Sequence, residues 1–417
     1  MSWKMKYERN WGQLGMKSEW KIETLADVCK VVTDGSHYSP HSVQKGKYMV
    51  SVKDFTEYGF DFSQCRQISE QDYEKLQKGG CVPEYQDILV GKDGVRYFED
   101  IILYRQDERP ALLSSIAILR CDESKIMPEF LYYLLKMPSV QKNVKENYGS
   151  GSAIPRIVLK DFRRMPVQYP DIKTQEAIVS ILQCIDEKIQ VNLRINKNLE
   201  HQAEAIFQSI LSNAITTVNL GKIADVKGGK RLPKGVNLID IPNTHPYIRV
   251  RDLNNVLFAS LTPDYAYVDE ETQKSISRYI VSTGDVLISI VGTIGLTAIV
   301  DSTLDKANLT ENCVKVTNLK HITPEYLLLY LRSQSGREAI TKGTVGAVQQ
   351  KLPIKNIQAI PIPLLSERDK TTLFCTLDSI FDEISSNVIQ STKLVSLRDT
   401  LLPKLMSCEL DVSAIDL

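Results

Sequence analysis

Five short segments of this 417-residue chain return in the same order after nearly the same interval. Leu25-Ala26-Asp27-Val28 falls opposite Leu220-Gly221-Lys222-Ile223, 195 positions on. Val52-Lys53-Asp54-Phe55 matches Val250-Arg251-Asp252-Leu253 at 198, as Asp87-Ile88-Leu89-Val90 matches Asp285-Val286-Leu287-Ile288. Pro128-Glu129-Phe130-Leu131 matches Pro324-Glu325-Tyr326-Leu327 at 196, and Leu159-Lys160-Asp161-Phe162 matches Ile354-Lys355-Asn356-Ile357 at 195. One such match is chance. Five in order, with an offset that hardly drifts, describe one unit used twice.

Each half opens with short apolar runs punctuated by Gly, Pro and Asp, which read as strands. In the first half these are Tyr48–Val52, Ile88–Val90, Ile101–Tyr104 and Ser115–Leu119; in the second, Tyr247–Val250, Val286–Val291, Leu296–Val300 and Val314–Val316. A short helix follows, capped in the second half by Thr323 with Pro324 at its first position. Gly149 and Gly343 lie just past these helical segments, where a left-handed cap is expected. Each half then closes on a long helix. Thr174 to Leu211 holds no Gly or Pro, and Ile178, Ile181, Leu182, Ile185, Ile189, Ile195, Leu199, Ala203, Ile206 and Ile210 recur at steps near three and four. From about Ser366 to Leu402, Leu373, Leu377, Ile380, Ile384, Leu394, Leu397 and Leu401 do the same. Asn192 and Asn387 fall on the two seams, where a polar residue fixes register and partner.

At 1.5 Å per residue each helix runs roughly 57 Å, too long for one small domain. The expected fold is α+β: two repeated domains separated by two long antiparallel coiled-coil helices, related by a pseudo-two-fold axis. The boundaries read as an N-terminal extension over 1–16, a first domain over 17–173, the central helix over 174–212, a second domain over 213–365, and the last helix with its tail over 366–417. The seam contacts are Ile185, Ile189, Asn192 and Leu199 on one helix and Ile380, Ile384, Asn387 and Leu394 on the other. Residues 1–15 match nothing recognised, and Met16 looks like a more usual start.

With 51 basic against 51 acidic residues, 43% apolar and 24% charged, the chain reads as an ordinary globular protein without a global cationic field. Its eight cysteines form no Cys-x-x-Cys pair and are expected to be free buried thiols in a reducing cytosol. The longest apolar stretch, Val286–Val300, is short and broken by Gly292 and Gly295, so two strands around a glycine turn explain it better than a membrane span. Residues 1–20 lack the apolar core of a signal peptide.

The catalytic inventory is thin. There is no Gly-x-x-x-x-Gly-Lys phosphate loop and no Asn-Pro-Pro-Tyr or Asp-Pro-Pro-Tyr tetrapeptide. Gly149-Ser150-Gly151-Ser152 lacks the order of a nucleophile elbow. Asp186-Glu187-Lys188 resembles a nuclease Asp-x-Lys, but reads as a solvated helix face. His37 and His41 have metal-ligand spacing, but Ser39-Pro40 between them argues for a loop, and no metal is expected. His201, His245 and His321 are isolated and read as structural. Basic clusters are the positive signal: residues 141–164, 227–251 and 342–355 are rich in Lys and Arg and can neutralise phosphates. Gln349 and Gln350 beside Lys351 can also reach base edges.

At this point the layout resembles the DNA-specificity subunit of Type I restriction–modification enzymes. The likeness rests on Thr33-Asp34-Gly35-Ser36-His37-Tyr38-Ser39-Pro40, on Val52-Lys53-Asp54-Phe55 with Val250-Arg251-Asp252-Leu253, on Gly151-Ser152-Ala153-Ile154-Pro155-Arg156, and on the helix that ends Arg194-Ile195-Asn196-Lys197-Asn198-Leu199-Glu200. The second half departs with Gly228-Gly229-Lys230-Arg231 in place of Asp-Gly-Ser-His. The resemblance implies a non-catalytic, cytoplasmic reader of a bipartite, asymmetric double-stranded DNA target. It would dock two methyltransferase subunits and, through them, restriction/motor subunits. S-adenosylmethionine, ATP and Mg would belong to those partners. The DNA contacts it implies are Ser36, His37, Tyr38, Lys53, Lys92, Arg96, Ser152 and Arg156 in the first half, and Lys230, Arg231, Arg249, Arg251, Gln349, Gln350 and Lys351 in the second. A coiled-coil adaptor that never touches DNA, or a DNA-modifying enzyme with an unrecognised site, remain the alternatives.

Overall fold

The computed structural model describes residues 20–149, 155–346, 349–407, 409–410 and 412. The chain forms two compact units, one running to Glu187 and resuming at Leu394, the other spanning Lys188–Lys393. All five repeated segments fold into equivalent elements. Leu25–Val28 and Leu220–Ile223 are one-turn helices. Val52–Asp54 and Val250–Leu253 are 3-10 turns closed by the same bond: the Ser51 N–H donates to Asp54 Oδ2 at 2.8 Å, and the Arg249 N–H to Asp252 Oδ2 at 2.7 Å. The strands Ile88–Gly91 and Val286–Ser289 follow a buried Asp87 and a buried Asp285, each paired to a cation on the neighbouring strand, Arg120 at 2.8 Å and Lys315 at 3.1 Å. The helices Pro128–Lys136 and Pro324–Arg332 each begin on their proline, and the Thr323 hydroxyl accepts from the Tyr326 N–H as its spacing predicts.

In the first unit an antiparallel sheet runs in the order Cys29–Asp34, Ile116–Cys121, Ile88–Gly91, Ile101–Leu103. In the second the order is Asp225–Gly228, Cys313–Thr317, Val286–Ser289, Thr297–Val300, with Phe258–Ala259 added at the edge. The apolar stretch 286–300 is therefore a hairpin, and both its glycines take left-handed φ, +81° at Gly292 and +88° at Gly295. Each sheet is buried on both faces: one packs against its short helices and long-helix residues, in cores that hold Phe130 and Phe162 in one unit and Tyr326 and Phe207 in the other, and the opposite face packs around Phe60 and Tyr104 or around Tyr265 and Tyr267. Among the described residues, no helix is long and apolar enough to cross a membrane.

The long helices run Ile172–Leu211 and Glu367–Met406. The second passes beyond Leu402 and through Pro403, whose ring nitrogen has no hydrogen to give, so the helix runs on for its last turn without the bond to the Asp399 carbonyl. Within the second unit Asn192 Nδ2 donates to Gln390 Oε1 at 2.8 Å, and Asn387 Nδ2 to Asn196 Oδ1 at 2.9 Å, so rising numbers on one helix meet falling numbers on the other. Those stretches are antiparallel. Within the first unit Leu182 shares a core with Leu402, Leu405 and Met406.

The seam differs from its apolar reading at two places. Ile195 and Leu397 are exposed, at 38% and 47%, and Asn196 and Arg398 are buried in their stead. Steps of three and four from Ile189 through Asn192 land on Asn196, and from Asn387 through Leu394 they land on Arg398. Periodicity overrides side-chain polarity because each polar group finds a partner. Ile185, Ile189, Ile384, Asn192 and Asn387 are buried, and Leu199, Ile380 and Leu394 half-buried. Replacing Asn196 by Ala should strand the Asn387 amide and lower stability by about 1–3 kcal/mol, seen as a lower urea midpoint.

Three further expectations need correction. Asp186 is not on a solvated face but buried, accepting from Tyr133 Oη at 2.7 Å and Arg398 Nη1 at 2.8 Å. Burial, followed by the carboxylate itself, holds that phenol far above its ordinary pKa, so it remains a donor. Gly149 and Gly343 are not left-handed caps. Gly149 is extended and closes on Tyr97, whose Oη would lie 2.6 Å from an added Cβ, while Gly343 ends its helix inside helical geometry and faces Leu352. At Gly149, where the Lys145 carbonyl would also lie 2.8 Å from the added carbon, close approach rather than φ favours glycine. The seven described cysteines are free, but Cys184 and Cys375 are exposed on the long helices rather than buried.

Candidate nucleic-acid interface

At one end of each sheet three loops converge, and the same backbone bonds fasten them in both units. The strand Cys29–Asp34 runs into Gly35 and Ser36, whose N–H groups donate to Ile116 O at 3.0 Å and Leu112 O at 2.8 Å. The strand Asp225–Gly228 runs into Gly229 and Lys230, which donate to Cys313 O at 3.0 Å and Leu309 O at 2.8 Å. These crossings are so close that a Cβ on Gly35 would lie 2.4 Å from Leu112 O, and one on Gly229 2.0 Å from Thr310 O. The departure from Asp-Gly-Ser-His to Gly-Gly-Lys-Arg therefore changes the side chains presented without changing the backbone path.

The second loop follows the next strand and is tied to the segment carrying Arg156 or Lys351. Ile157 N–H donates to Lys92 O, and Leu352 N–H to Ile290 O, both at 3.0 Å. Isolated bridges pair Asp93 with Arg156 and Val291 with Lys351. Arg156 and Lys351 thus occupy equivalent, exposed positions, 195 residues apart. Ser152, also expected here, lies outside the described residues.

In the second unit the structure gathers Arg231, Arg249 and Arg251 around one open groove of about 440 Å³, with Thr310, Glu311 and Asn312 on its far wall. Arg249 grips Asp252 through two bonds of 3.0 Å, which orients its plane. Arg251 donates to Asp264 O at 3.1 Å but leaves 61% of its side chain exposed. Arg231 is 81% exposed and donates to Glu311 Oε1 at 2.8 Å. Burial alone raises the Glu311 carboxyl, but the Arg231 bond and its other hydrogen bonds hold it below the ordinary value, so the pair stays ionic. An exposed pair of this kind is weak, and the guanidinium can exchange its carboxylate for a phosphate. Lys230 lies outside that groove with its ammonium 5.4 Å from the Tyr279 ring centre. Gln349 and Gln350 stand exposed just before Lys351, which exchanges backbone bonds of 2.8 and 2.9 Å with Val345.

In the first unit His37, Tyr38, Lys53, Arg96 and Arg156 reach the surface. Arg96 is held by Asp100 at 2.9 Å, and His37 Nε2 sits 3.4 Å from Asp34. Ser36 and Lys92 lie buried beneath the loops instead. The Ser36 hydroxyl closes a turn with Tyr38, and Lys92 Nζ lies 2.8 Å from Asp34 Oδ2. Both brace the surface residues from below. Much of the 141–164 basic cluster is likewise engaged: Lys145 with Glu99, Arg164 with Asp161, and Arg163 with Val32 O at 3.1 Å. No sequence motif singles out Thr310, Glu311 and Asn312. Their signal is position, immediately before the strand Cys313–Thr317 in the repeat.

These features together form two cationic surfaces fastened by the same backbone bonds, suited to phosphates, with amides able to reach base edges in the second. Among the described residues, no cluster of three or more His, Cys, Asp or Glu could hold a metal ion.

Comparison with known proteins gives a consistent outcome. A sequence model of the Type I restriction modification DNA specificity domain matches twice, over residues 17–201 and 214–391. The Type I restriction enzyme HindI specificity subunit of Haemophilus influenzae is 20% identical, across 94% of this chain and 100% of its own length. The MjaIX specificity subunit of Methanocaldococcus jannaschii is 21% identical, across 69% of this chain and 70% of its own. In fold, the crystal structure of the S subunit of a Type I restriction-modification system from M. genitalium superposes with a TM-score of 0.52 at 16% identity, covering 94% of this chain and 98% of that one.

Proposed function

Because the chain belongs to the Type I restriction modification DNA specificity domain family, we propose that it is the non-catalytic subunit that selects DNA for a methyltransferase and motor/nuclease complex. Each unit reads one half of a bipartite, asymmetric duplex target. The long helices carry two methyltransferase subunits, which recruit the restriction subunits. S-adenosylmethionine, ATP and Mg act on those partners, in the cytoplasm. The observation that carries this reading is the paired loop assembly, which presents Arg156 and Lys351 from equivalent strand bridges beside further cations. An adaptor indifferent to DNA would have no use for such a repeated arrangement.

Sequencing the methylated bases of a host with and without this chain tests the reading. A two-part motif that appears only with the chain supports it; a contiguous motif, or none, counts against it. Arg156→Ala and Lys351→Ala should each weaken binding to the target duplex. A phosphate contact predicts a uniform loss across sequences and a shallower salt slope, and a base contact about 1–3 kcal/mol with relaxed specificity in one half-site. Unchanged affinity at every salt concentration would remove both residues from the interface. Inserting four residues near Asn192 lengthens that helix by about 6 Å. The expected motif then has a longer gap, by one or two base pairs, between unaltered half-sites.

A further inference from the structure

We infer that Val95 is a base-reading contact of the first unit, packing on the C5 methyl of a thymine in the major groove; the inference rests on the DNA-binding reading above. An exposed apolar side chain alone carries no such message, since single ones are common on protein surfaces. Val95 differs in degree and in setting. It is 90% exposed, more than any other large apolar side chain described.

It also crowns a loop fixed from every side. Phe98 is fully buried and its N–H donates to Gly91 O at 2.7 Å, which closes the loop at its base. Gly94 N–H donates to Pro155 O at 3.0 Å, and Asp93 bridges Arg156. Arg96, the next residue, is held by Asp100. The valine is therefore a rigid projection beside Arg156, at the surface that also presents His37 and Tyr38.

The repeat places a related side chain at the same point. Val95 follows Gly94 with φ +97°, and Thr293, 198 residues later, follows Gly292 with φ +81°. Both tips are β-branched and exposed, each with a methyl on a stiff stem. Ser289 Oγ fixes the second tip by donating to Thr293 O at 2.6 Å. A valine side chain has no donor or acceptor. Of the features that base pairs display in the major groove, the thymine methyl is the one it can recognise.

The test uses the full chain assembled with its methyltransferase partner, on duplexes bearing its methylated motif. Each thymine of the target is replaced in turn by deoxyuridine, which removes only that methyl. One such replacement, in the half-site read by the first unit, should weaken binding roughly three- to fivefold, as loss of one buried methyl predicts. Val95→Ala should weaken binding to the natural duplex by a similar factor and should no longer distinguish thymine from deoxyuridine there, while Val95→Ile keeps the distinction. Sequence-specific binding with no deoxyuridine effect anywhere, or an effect that survives in Val95→Ala, would overturn the inference. A first half-site without thymine would do the same. Loss of affinity in Val95→Ala without a deoxyuridine effect would mark the side chain as a wedge rather than a reader, again against it. If the assembled wild type shows no sequence-specific binding at all, it is the DNA reading itself that fails.

Discussion

Arg398→Ala should lower stability by about 3–5 kcal/mol, the usual result of leaving one partner of a buried ion pair uncompensated. Arg398 and Asp186 expose only 11% and 8% of their side chains and meet at 2.8 Å. Tyr133 satisfies the second carboxylate oxygen, and Asp399 accepts from Arg398 Nε at 3.0 Å. Removing the guanidinium leaves a carboxylate in the core with one neutral donor. The repeat suggests the compensating change. The positions equivalent to Asp186 and Arg398 in the second unit are Phe381 and Ala203, both buried. The double variant Asp186→Phe/Arg398→Ala should therefore recover most of the loss, since a well-packed apolar pair is often as stable as a buried ionic one. Urea midpoints of the two single variants and the double variant form the cycle. A change below about 0.5 kcal/mol in Arg398→Ala, or strictly additive losses, would show that the pair is not coupled.

That pair also marks the limit of what could be read from the residues alone. The duplication was legible because each repeated segment is short, local and structurally self-sufficient: a capped turn, a strand after a buried Asp, a helix starting on Pro. The long helices were legible from length and lack of Gly or Pro. Their seam was not, at Asn196 and Arg398, because choosing apolar residues favours Ile195 and Leu397, one position early in each case. Only the opposite helix shows that Asn387 and Asp186 wait for them. The same holds at the candidate interface. Arg231, Arg249 and Arg251 stand close in sequence and their clustering could be anticipated. The withdrawal of Lys92 beneath the surface depends on Asp34, 58 residues away on another strand, and no local pattern announces it.

Gly229→Ala should be among the most damaging added methyl groups in the second unit. Its Cβ would lie 2.0 Å from Thr310 O and 2.5 Å from Leu309 O, and both are backbone atoms that cannot swing aside. To make room, the loop must part from the strand, breaking the bonds from Gly229 N–H to Cys313 O and from Lys230 N–H to Leu309 O. Overpacking and the lost bonds together should cost about 3 kcal/mol or more. Gly235→Ala supplies the contrast. There φ is +86°, with nothing within 4 Å of the added carbon, so only conformational strain of about 1 kcal/mol is expected. The two glycines thus separate lack of space from lack of conformational freedom. The consequence for function is directional. Parting the loop carries Arg231 away from the groove wall formed by Thr310 and Glu311, and the Arg231–Glu311 bond cannot follow. On the function proposed above, methylation by a complex containing Gly229→Ala should then lose discrimination in one half-site and keep it in the other. Equal thermal shifts for the two variants would refute the close-approach argument. Relaxation of both half-sites together would show that this loop does not serve one unit alone.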